Sequence, residues 1–376
     1  MKLVTAGESH GKALIGIIEG LPSNLKIDAG EINRYLALRQ SGYGRGDRQK
    51  IERDSVEIIS GVRNFLTLGS PLAFSVINSD YKNWQSIMSP ESCDVNARTL
   101  TKVRPGHADL TGIIKYDQTD ARNVLERASA RETAARVVAG TIARQYLAAL
   151  GVKISGYVKS VCGLADGAEY AFWQLEEAKK QPLFMLDEEV QKQAIEKIDA
   201  LKAAGDTAGG VIEIRVKGLK SGFGSCMQYS TKLDALLCAA MMSVQAIKGV
   251  EVGAGFAAAD LAGSRVHDEI FYDGNRFFRK TNNAGGIEGG MSNGEEIVLR
   301  AAMKPIPTLM KGLKTVDYST KEPAVAAAER SDVSAVSAAE IVLESAVAFA
   351  LAEVVSARLG GDNMREVRER YRALKG

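Results

Sequence analysis

Residues 233–247 constrain the fold more than any other stretch, because they are apolar around most of a helix. The apolar side chains are Leu233, Leu236, Leu237, Ala240, Met241, Val244 and Ile247. A helix with so wide an apolar face needs neighbours on more than one side. The sequence therefore predicts a central helix here, and a chain of 376 residues that is 45% apolar has ample material to cover it.

Strands and helices are predicted in mixed order along the chain. Strand patterns lie at 13–21, 55–62, 71–78, 152–158 and 209–218, and helix patterns begin at an Asp28 N-cap, run from Ser129 to Leu150, and cover 187–204 and 337–361. Regular alternation of strand and helix is absent, and no low-complexity linker divides the chain. This order favours the α+β class, as a single large domain over residues 1–376.

Charge and cysteine usage exclude several classes of protein. Lys plus Arg is 48 and Asp plus Glu is 46, and a net charge of +2 gives no general attraction to nucleic acid. The four cysteines stand singly, which predicts neither a disulfide framework nor a metal site. No signal peptide and no apolar run of about 18 residues is evident. We expect a cytoplasmic protein that does not enter the membrane.

Two of the three histidines lie in glycine-flanked loops. His10 lies in "GESHG" and His107 in "RPGHAD", beside serine, arginine and aspartate, where backbone can approach a ligand closely. With an unperturbed pKa near ~6.5, each can exchange protons at physiological pH. A purely structural role is the alternative for both, and it is the role we assign to His267 in "SRVHDE".

The segment "RQSGYGRGDRQK" (39–50) concentrates positive charge. Arg39, Arg45, Arg48 and Lys50 face one acid, and glycines alternate with the cations. Guanidiniums on so mobile a backbone suit capture of phosphate or carboxylate. An anion-binding loop is the favoured interpretation, and a solvated basic loop is the alternative.

The segment "ERASARETAAR" (126–136) combines a helix start with basic residues. Ser129 and Glu132 have the spacing of a capping box, in which Ser129 accepts from the Glu132 backbone N–H. A helix N-terminus is positive, yet Arg127, Arg131 and Arg136 crowd it. An anionic ligand at this N-terminus would attract both the helix dipole and the arginines. Arg127 and Arg131 would then face the ligand, and Arg136 would be solvated.

Taken in order, the motifs resemble those of the chorismate synthase family. They are "GESHG", "GYGRG" (42–46), "RPGHADLTGIIKY" (104–116), "ERASARETAARVVAG" (126–140), "KGVEVGAGF" (248–256), "NNAGGIEGGMSNGE" (282–295), "KPIPT" (304–308) and "RSD" (330–332). The resemblance implies a β-α-β sandwich with helices between two antiparallel sheets, assembled as a homotetramer. It implies an anti-1,4-elimination of phosphate from 5-enolpyruvylshikimate 3-phosphate that gives chorismate and needs reduced FMN without net redox change. NADPH would enter only indirectly, to reduce the flavin, through an external flavin reductase or an activity of the chain itself.

The resemblance also assigns roles to residues of the matching motifs. It implies that His10, His107 and Asp332 are catalytic. The implied substrate ligands are Ser9, Arg39, Arg48, Arg104 and Arg131. The implied flavin contacts are Arg45, Arg127, Ala128, Ser129, Gln245, Ala246, Gly289, Lys304, Pro305, Ile306, Pro307, Thr308 and Arg330. For Asp332, a simple N-cap of the following helix is the alternative.

Two other classes of protein compete with this interpretation. A flavin reductase would share flavin-binding loops but would oxidise a nicotinamide. The "GAGFAA" match at 253–258 lacks the strand and helix that a dinucleotide fingerprint needs. A protein that binds RNA or another polyanion would use the arginine loops, but the near-neutral charge and the lack of aromatic residues among the basic stretches argue against it.

Overall fold

Helices and strands follow one another irregularly in the computed structural model, which describes residues 1–46, 53–326 and 332–375. Its helices are α1 Ala29–Gln40, α2 Asp109–Tyr116, α3 Arg122–Ala128, α4 Thr133–Ala148, α5 Leu175–Ala178, α6 Glu188–Ala203, α7 Leu233–Met242, α8 Gly263–Val266, α9 Val336–Leu359 and α10 Met364–Ala373. Its strands are β1 Lys2–Ala6, β2 Ala13–Glu19, β3 Val56–Ser60, β4 Val62–Arg63, β5 Leu66–Thr67, β6 Leu72–Ile77, β7 Lys153–Val161, β8 Leu164–Ala165, β9 Gly210–Lys217, β10 Ile247–Val252, β11 Ile270–Tyr272, β12 Phe277–Arg279, β13 Ile287–Glu288, β14 Met291–Ser292, β15 Ile297–Met303, β16 Lys314–Val316 and β17 Pro323–Val325.

The first sheet has the strand order β1-β2-β6-β3, and every neighbouring pair is antiparallel. Alternation along β2 and β6 buries one face, where Leu14, Leu72 and Phe74 are fully enclosed. Gly16 pairs with Phe74, and the Phe74 ring fills the space that a side chain on Gly16 would need. The strands predicted from residues 13–78 are thus confirmed, because period-two alternation is a direct signature of a sheet with one buried face.

The second sheet has the order β10-β15-β9-β7-β8 and is also antiparallel. It contains the predicted strands at 152–158 and 209–218. Ile212, Ile214 and Leu299 on its central strands are fully buried.

Two long helices, α4 and α9, pack against each other and reach both sheets. Helix α4 contacts β1, β2 and β6 of the first sheet, while α9 contacts β7 and β9 of the second. They are in close contact at Gly140, where a Cβ atom would lie 2.3 Å from the Cβ of Ser345. A glycine at this crossing therefore sets the distance between the helices. Within the described ranges, no helix is both long and apolar enough to cross a membrane.

Charged side chains are buried beside α9, away from any predicted site. Lys179 Nζ lies 2.9 Å from Glu344 Oε1 and 3.7 Å from Glu340 Oε1, and Arg144 binds the other oxygen of Glu344 at 2.9 Å. Burial raises the pKa of Glu340 well above its usual range, and the negative charge of Glu344 raises it further. The surroundings of Glu340 therefore favour its protonated form.

Two helix predictions need correction. The helix predicted over 233–247 ends at Met242, and α7 buries a single stripe of Leu233, Leu237 and Met241 while Met242 is 45% exposed. The helices with the most extensive mutual packing are α4 and α9 instead, and their small side chains allow this close approach. The helix predicted from Ser129 begins only at Thr133. By contrast, Asp28 caps α1 as predicted, accepting from the N–H groups of Gly30 and Glu31.

Candidate active site

A cavity of about 1510 Å³ brings together most of the residues that the sequence singled out. Loops after β1, α1 and β15, the connection from α3 to α4 and the start of α9 enclose it. The predicted residues that line it are Ser9, His10, Arg39, Arg45, Arg104, His107, Ala128, Ser129, Arg131, Gln245, Ala246, Lys304, Ile306, Pro307, Thr308 and Asp332. This volume exceeds the roughly 300–1,000 Å³ of a pocket for one small molecule, so the cavity has room for more than one ligand.

His10 is anchored to a buried carboxylate. Its Nδ1 lies 2.8 Å from Glu126 Oε1, and its backbone N–H donates to Glu126 Oε2 at 2.8 Å. Burial alone would raise the pKa of Glu126, but the hydrogen bonds from His10 and the charge of Arg122 lower it below the usual value. An ionised carboxylate can only accept, so Nδ1 carries a proton and Nε2 is the nitrogen left for proton exchange.

His107 repeats this arrangement with a different acid. Its Nδ1 lies 2.5 Å from Oδ1 of the fully buried Asp109. Arg104 donates to the same carboxylate through its backbone N–H, Nε and Nη2. Burial alone would raise the pKa of Asp109, but the bonds from His107 and Arg104 hold it far below its usual range. Here too Nδ1 must donate, so the 3.1 Å approach of Arg104 Nη2 to it is not a hydrogen bond.

Arg39 and Arg131 share one aspartate. Arg131 Nη1 lies 2.6 Å from both carboxylate oxygens of Asp54, and Arg39 Nη1 lies 3.5 Å from Oδ2. Arg39 also donates from Nε to Thr133 Oγ1 at 2.9 Å. Burial lowers the pKa of Arg39 to about 10, although Asp54 opposes the shift. The bonds to Asp54 and Thr133 hold both guanidiniums in fixed orientations beside the cavity.

Asp332 joins the first glycine-rich loop to the segment before α9. Its Oδ2 lies 2.8 Å from Arg45 Nη1, and its Oδ1 accepts from the Gly46 backbone N–H at 2.6 Å. The N-cap position of α9 is Ala335, so the N-cap alternative for Asp332 is wrong. Burial lowers the pKa of Arg45 against the opposing effect of Asp332.

The cavity also contains polar atoms suited to a further ligand. Arg45 Nε and Gln245 Oε1 are buried and have no hydrogen-bond partner among the described residues. Ala246 has φ +68°, a left-handed conformation that is uncommon for a residue with a side chain, and its carbonyl accepts from the Lys304 N–H. Strained backbone and unpaired polar atoms at one place are typical of a binding site.

Three predicted flavin contacts lie away from the cavity. The Arg127 guanidinium donates to the carbonyl oxygens of Thr5 and Gly7. Gly289 and Pro305 do not line the cavity either, since Gly289 lies in a hairpin near Cys226 and Pro305 is exposed.

Two more predicted residues, Arg48 and Arg330, lie outside the described residues. His267 is exposed, lies outside the cavity and follows the short helix α8.

The connection between α3 and α4 explains the basic segment differently from our prediction. Helix α3 ends at Ala128, so Arg127 is in a last turn, where the helix dipole favours a cation. Ser129 Oγ accepts from the Arg131 N–H at 3.3 Å rather than from Glu132, so the predicted capping box is wrong. Arg136 is not merely solvated, since it binds the carbonyl and hydroxyl of Ser243.

Four functional side chains were not predicted: Asp54, Trp84, Asp109 and Glu126. Two of them had a local signal, because Asp109 follows His107 by two residues and Glu126 opens the segment "ERASARETAAR". Asp54 and Trp84 are brought to the site only by tertiary folding. Among the described residues, no group of three or more His, Cys, Asp or Glu side chains could hold a metal ion.

Comparisons with known proteins show the family of this chain. A family model described as chorismate synthase matches residues 1–355. The chain belongs to the chorismate synthase family. Chorismate synthase of Geobacter sulfurreducens is 52% identical over 99% of this chain and 97% of its own length. That of Caldicellulosiruptor bescii is 49% identical over 100% of this chain and 99% of its own.

A solved structure supports the assignment at the level of the fold. A chorismate synthase crystal structure superposes with a TM-score of 0.80 at 40% identity, covering 99% of this chain and 96% of that one. The chain is thus a mixed helix-and-strand protein similar throughout to a chorismate synthase.

Proposed function

We propose that the cavity catalyses the chorismate synthase reaction, in which 5-enolpyruvylshikimate 3-phosphate loses phosphate and a ring hydrogen in an anti-1,4-elimination. The protein is then a phosphate-eliminating carbon–oxygen lyase of the shikimate pathway, which leads to the aromatic amino acids. The observation that carries the proposal is that, among the described residues, two carboxylate-anchored histidines line the same cavity as six arginines.

The arginines suit the charge of this substrate. It carries two carboxylates and a phosphate, and planar guanidiniums bind such groups through paired hydrogen bonds. We assign Ser9, Arg39, Arg104 and Arg131 to the substrate anions. Each of these arginines is at least 93% buried and oriented by a protein carboxylate. Arg48 joins them in the proposal on its motif alone.

The histidines suit the proton transfers of the reaction. The C–O bond breaks with its electron pair on the departing phosphate, the ring hydrogen is lost, and a second ring double bond forms. Proton transfer to the departing phosphate offsets the charge that develops there. We assign one of His10 and His107 to that phosphate and the other to the flavin side of the cavity, with Asp332 as the base of a proton relay.

The residues present fit reduced FMN as the cofactor. Arg45 Nε and Gln245 Oε1 are buried polar atoms that need a partner, and Lys304 supplies a further cation at the same wall. We assign Arg45, Ala128, Ser129, Gln245, Ala246, Lys304 and Ile306 to Thr308 to the flavin, and Arg330 on its motif alone. When bound, reduced flavin supplies electron density that helps phosphate leave and then recovers it.

The finer architecture and assembly are also proposals. The contacts of α4 with the first sheet and of α9 with the second support a β-α-β sandwich in one domain. The outer face of the first sheet is apolar, with Val4 67%, Ile59 60% and Ile77 53% exposed. An exposed apolar face of this kind supports a homo-oligomer, which we propose is a tetramer in the cytoplasm.

An anaerobic assay tests the proposed reaction. The protein is mixed with chemically reduced FMN and 5-enolpyruvylshikimate 3-phosphate, and phosphate and chorismate are measured. Equal amounts of both products are expected, and absence of turnover by folded protein would refute the proposal. A second arm with NADPH and oxidised FMN shows whether the chain reduces its own flavin or depends on an external reductase.

A further inference from the structure

His10 lies in a layered stack that extends beyond the residues assigned above. Its ring is nearly parallel to the indole of Trp84, with 3.8 Å between centroids and 22° between planes. The guanidinium carbon of Arg98 lies 4.1 Å from the same indole centroid. Both groups cannot fit on one face at these distances, so the order is imidazole, indole, guanidinium.

Trp84 is itself held firmly. It is 6% exposed, and its Nε1–H donates to Asp80 Oδ2 at 2.9 Å. It ends the 3₁₀ turn Ser79–Asn83, whose Asn83 amide donates to the other oxygen of Asp80. A rotamer fixed by packing and a hydrogen bond gives the His10 ring a rigid surface.

Glu126 fixes the imidazole along its edge. The carboxylate accepts from both the backbone N–H and Nδ1 of His10, so it restrains the position and the rotation of the ring. With one face against Trp84 and the Nδ1 edge on Glu126, Nε2 is the remaining nitrogen for transfer. The arrangement resembles the way buried acids orient catalytic histidines in other enzymes.

Four charged side chains surround the stack. They are Glu126 and Arg122 from α3, and Asp80 and Arg98 from the segment that carries Trp84. Glu126 is the nearest of these charges and bonds directly to the ring.

We propose that Trp84 and Glu126 are positioning residues that clamp His10 by face and by edge, so that its proton is delivered from Nε2 into the cavity. This inference rests on the proposed function, since it concerns how His10 serves that reaction. Neither side chain needs to touch the substrate for this role.

Fluorescence tests the clamp without using activity. The chain has two tryptophans, and Trp173 is 72% exposed and outside the cavity, so a Trp173→Phe protein reports on Trp84 alone. A protonated imidazole in contact with indole quenches its emission more strongly than the neutral ring. The emission should rise with pH, and His10→Gln should abolish that change.

Matched variants identify the group responsible. In the Trp173→Phe protein, Glu126→Gln should reduce the size of the emission change, because it weakens the hold on the Nδ1 edge of His10 and loosens the ring's contact with the indole. Asp109→Asn, which removes the acid on the other histidine, should leave it unchanged. An emission that does not depend on pH, or a change of full size in Glu126→Gln, would overturn the proposal.

Kinetics test the positioning role. Trp84→Leu should lower kcat about 10-fold or more with little change in KM, and Trp84→Phe, which keeps a ring face, should recover most of it. A normal kcat in Trp84→Leu would also refute the clamp. If the Trp173→Phe protein shows the predicted emission change but no turnover, the proposed function fails and the stack stands. If it turns over the substrate but shows no emission change, the stack fails and the proposed function stands.

Discussion

Replacing Asp109 by asparagine separates the two tasks of this carboxylate, which are to neutralise Arg104 and to orient His107. Asp109 is fully buried and accepts three hydrogen bonds from Arg104 and one from His107. Asparagine keeps the size but removes the charge. Breaking a buried ion pair from one side costs about 3–5 kcal/mol, so Asp109→Asn should fold but unfold at a clearly lower temperature.

Activity should fall further than stability explains. An asparagine can present its NH₂ group to His107 Nδ1, which then accepts and leaves the proton on Nε2, the wrong tautomer. The corresponding substitution in a Ser-His-Asp triad costs about 10⁴ in kcat. We expect Asp109→Asn to lower kcat by about 10²–10⁴ at a temperature where the variant is fully folded.

The anaerobic assay with chemically reduced FMN measures this effect. If Asp109 acts through His107, adding Asp109→Asn to His107→Ala should cost no further activity. Asp317→Asn is the matched control. Like Asp109, Asp317 accepts a side-chain hydrogen bond, in this case from the hydroxyl of Thr101, but that partner does not line the cavity. A near-normal kcat in Asp109→Asn, or a full additional loss in the double variant, would refute the orienting role.

Three further predictions concern two positions in the core and Asp332 in the cavity. Burial raises the pKa of Glu340 in the folded protein. The stability that this side chain contributes is therefore full below about pH 4 and is lost as the pH rises towards the folded pKa, by about 1.4 kcal/mol per pH unit. Glu340→Gln should therefore raise Tm more at pH 8 than at pH 5, and a lower Tm at both would contradict this. Gly140→Ala should lower the free energy of unfolding by about 1–3 kcal/mol in denaturant titrations, because its Cβ meets the facing helix. Gly167→Ala, with open space around it, should change it by less than about 0.5. Asp332→Asn, which weakens the contact with Arg45, should cut kcat about 100-fold while flavin binding, followed by fluorescence, persists; full activity would argue against a catalytic Asp332.

Much of the fold could be predicted because its signals are local. Local strand patterns identified β2, β6, β7 and β9, with period-two alternation in β6 and β7, and the Asp28 cap located α1. The choice of central helices could not be made this way. Apolar width suggested 233–247, whereas the two long helices that pack against each other and against the sheets are α4 and α9, and α9 even carries buried glutamates. Which helices pack together depends on small residues that permit a close crossing, and hydrophobicity alone does not identify such residues.

The site was predictable where its chemistry lies in one loop. His10 and His107 were identified from their glycine-flanked motifs, but their partners depend on which groups meet after folding. His10 and Glu126 are 116 positions apart along the chain, and no pattern in either segment predicts their contact. The basic residues of "ERASARETAAR" were over-interpreted, because a helix boundary one turn later places Arg127 and Arg131 in different elements.

The cavity can stay folded without its ligands because its assigned arginines are paired with protein carboxylates. Each arginine assigned to the cavity in the described ranges already has a carboxylate: Arg39 and Arg131 have Asp54, Arg45 has Asp332, and Arg104 has Asp109. These acids offset repulsion between buried cations that would otherwise oppose folding. They also reduce the net positive potential, so attraction to a trianionic substrate depends less on long-range charge than on guanidinium donors held in the correct orientation. Ligand affinity in such a site should come from preorganised geometry, since the orientation is already set by the fold.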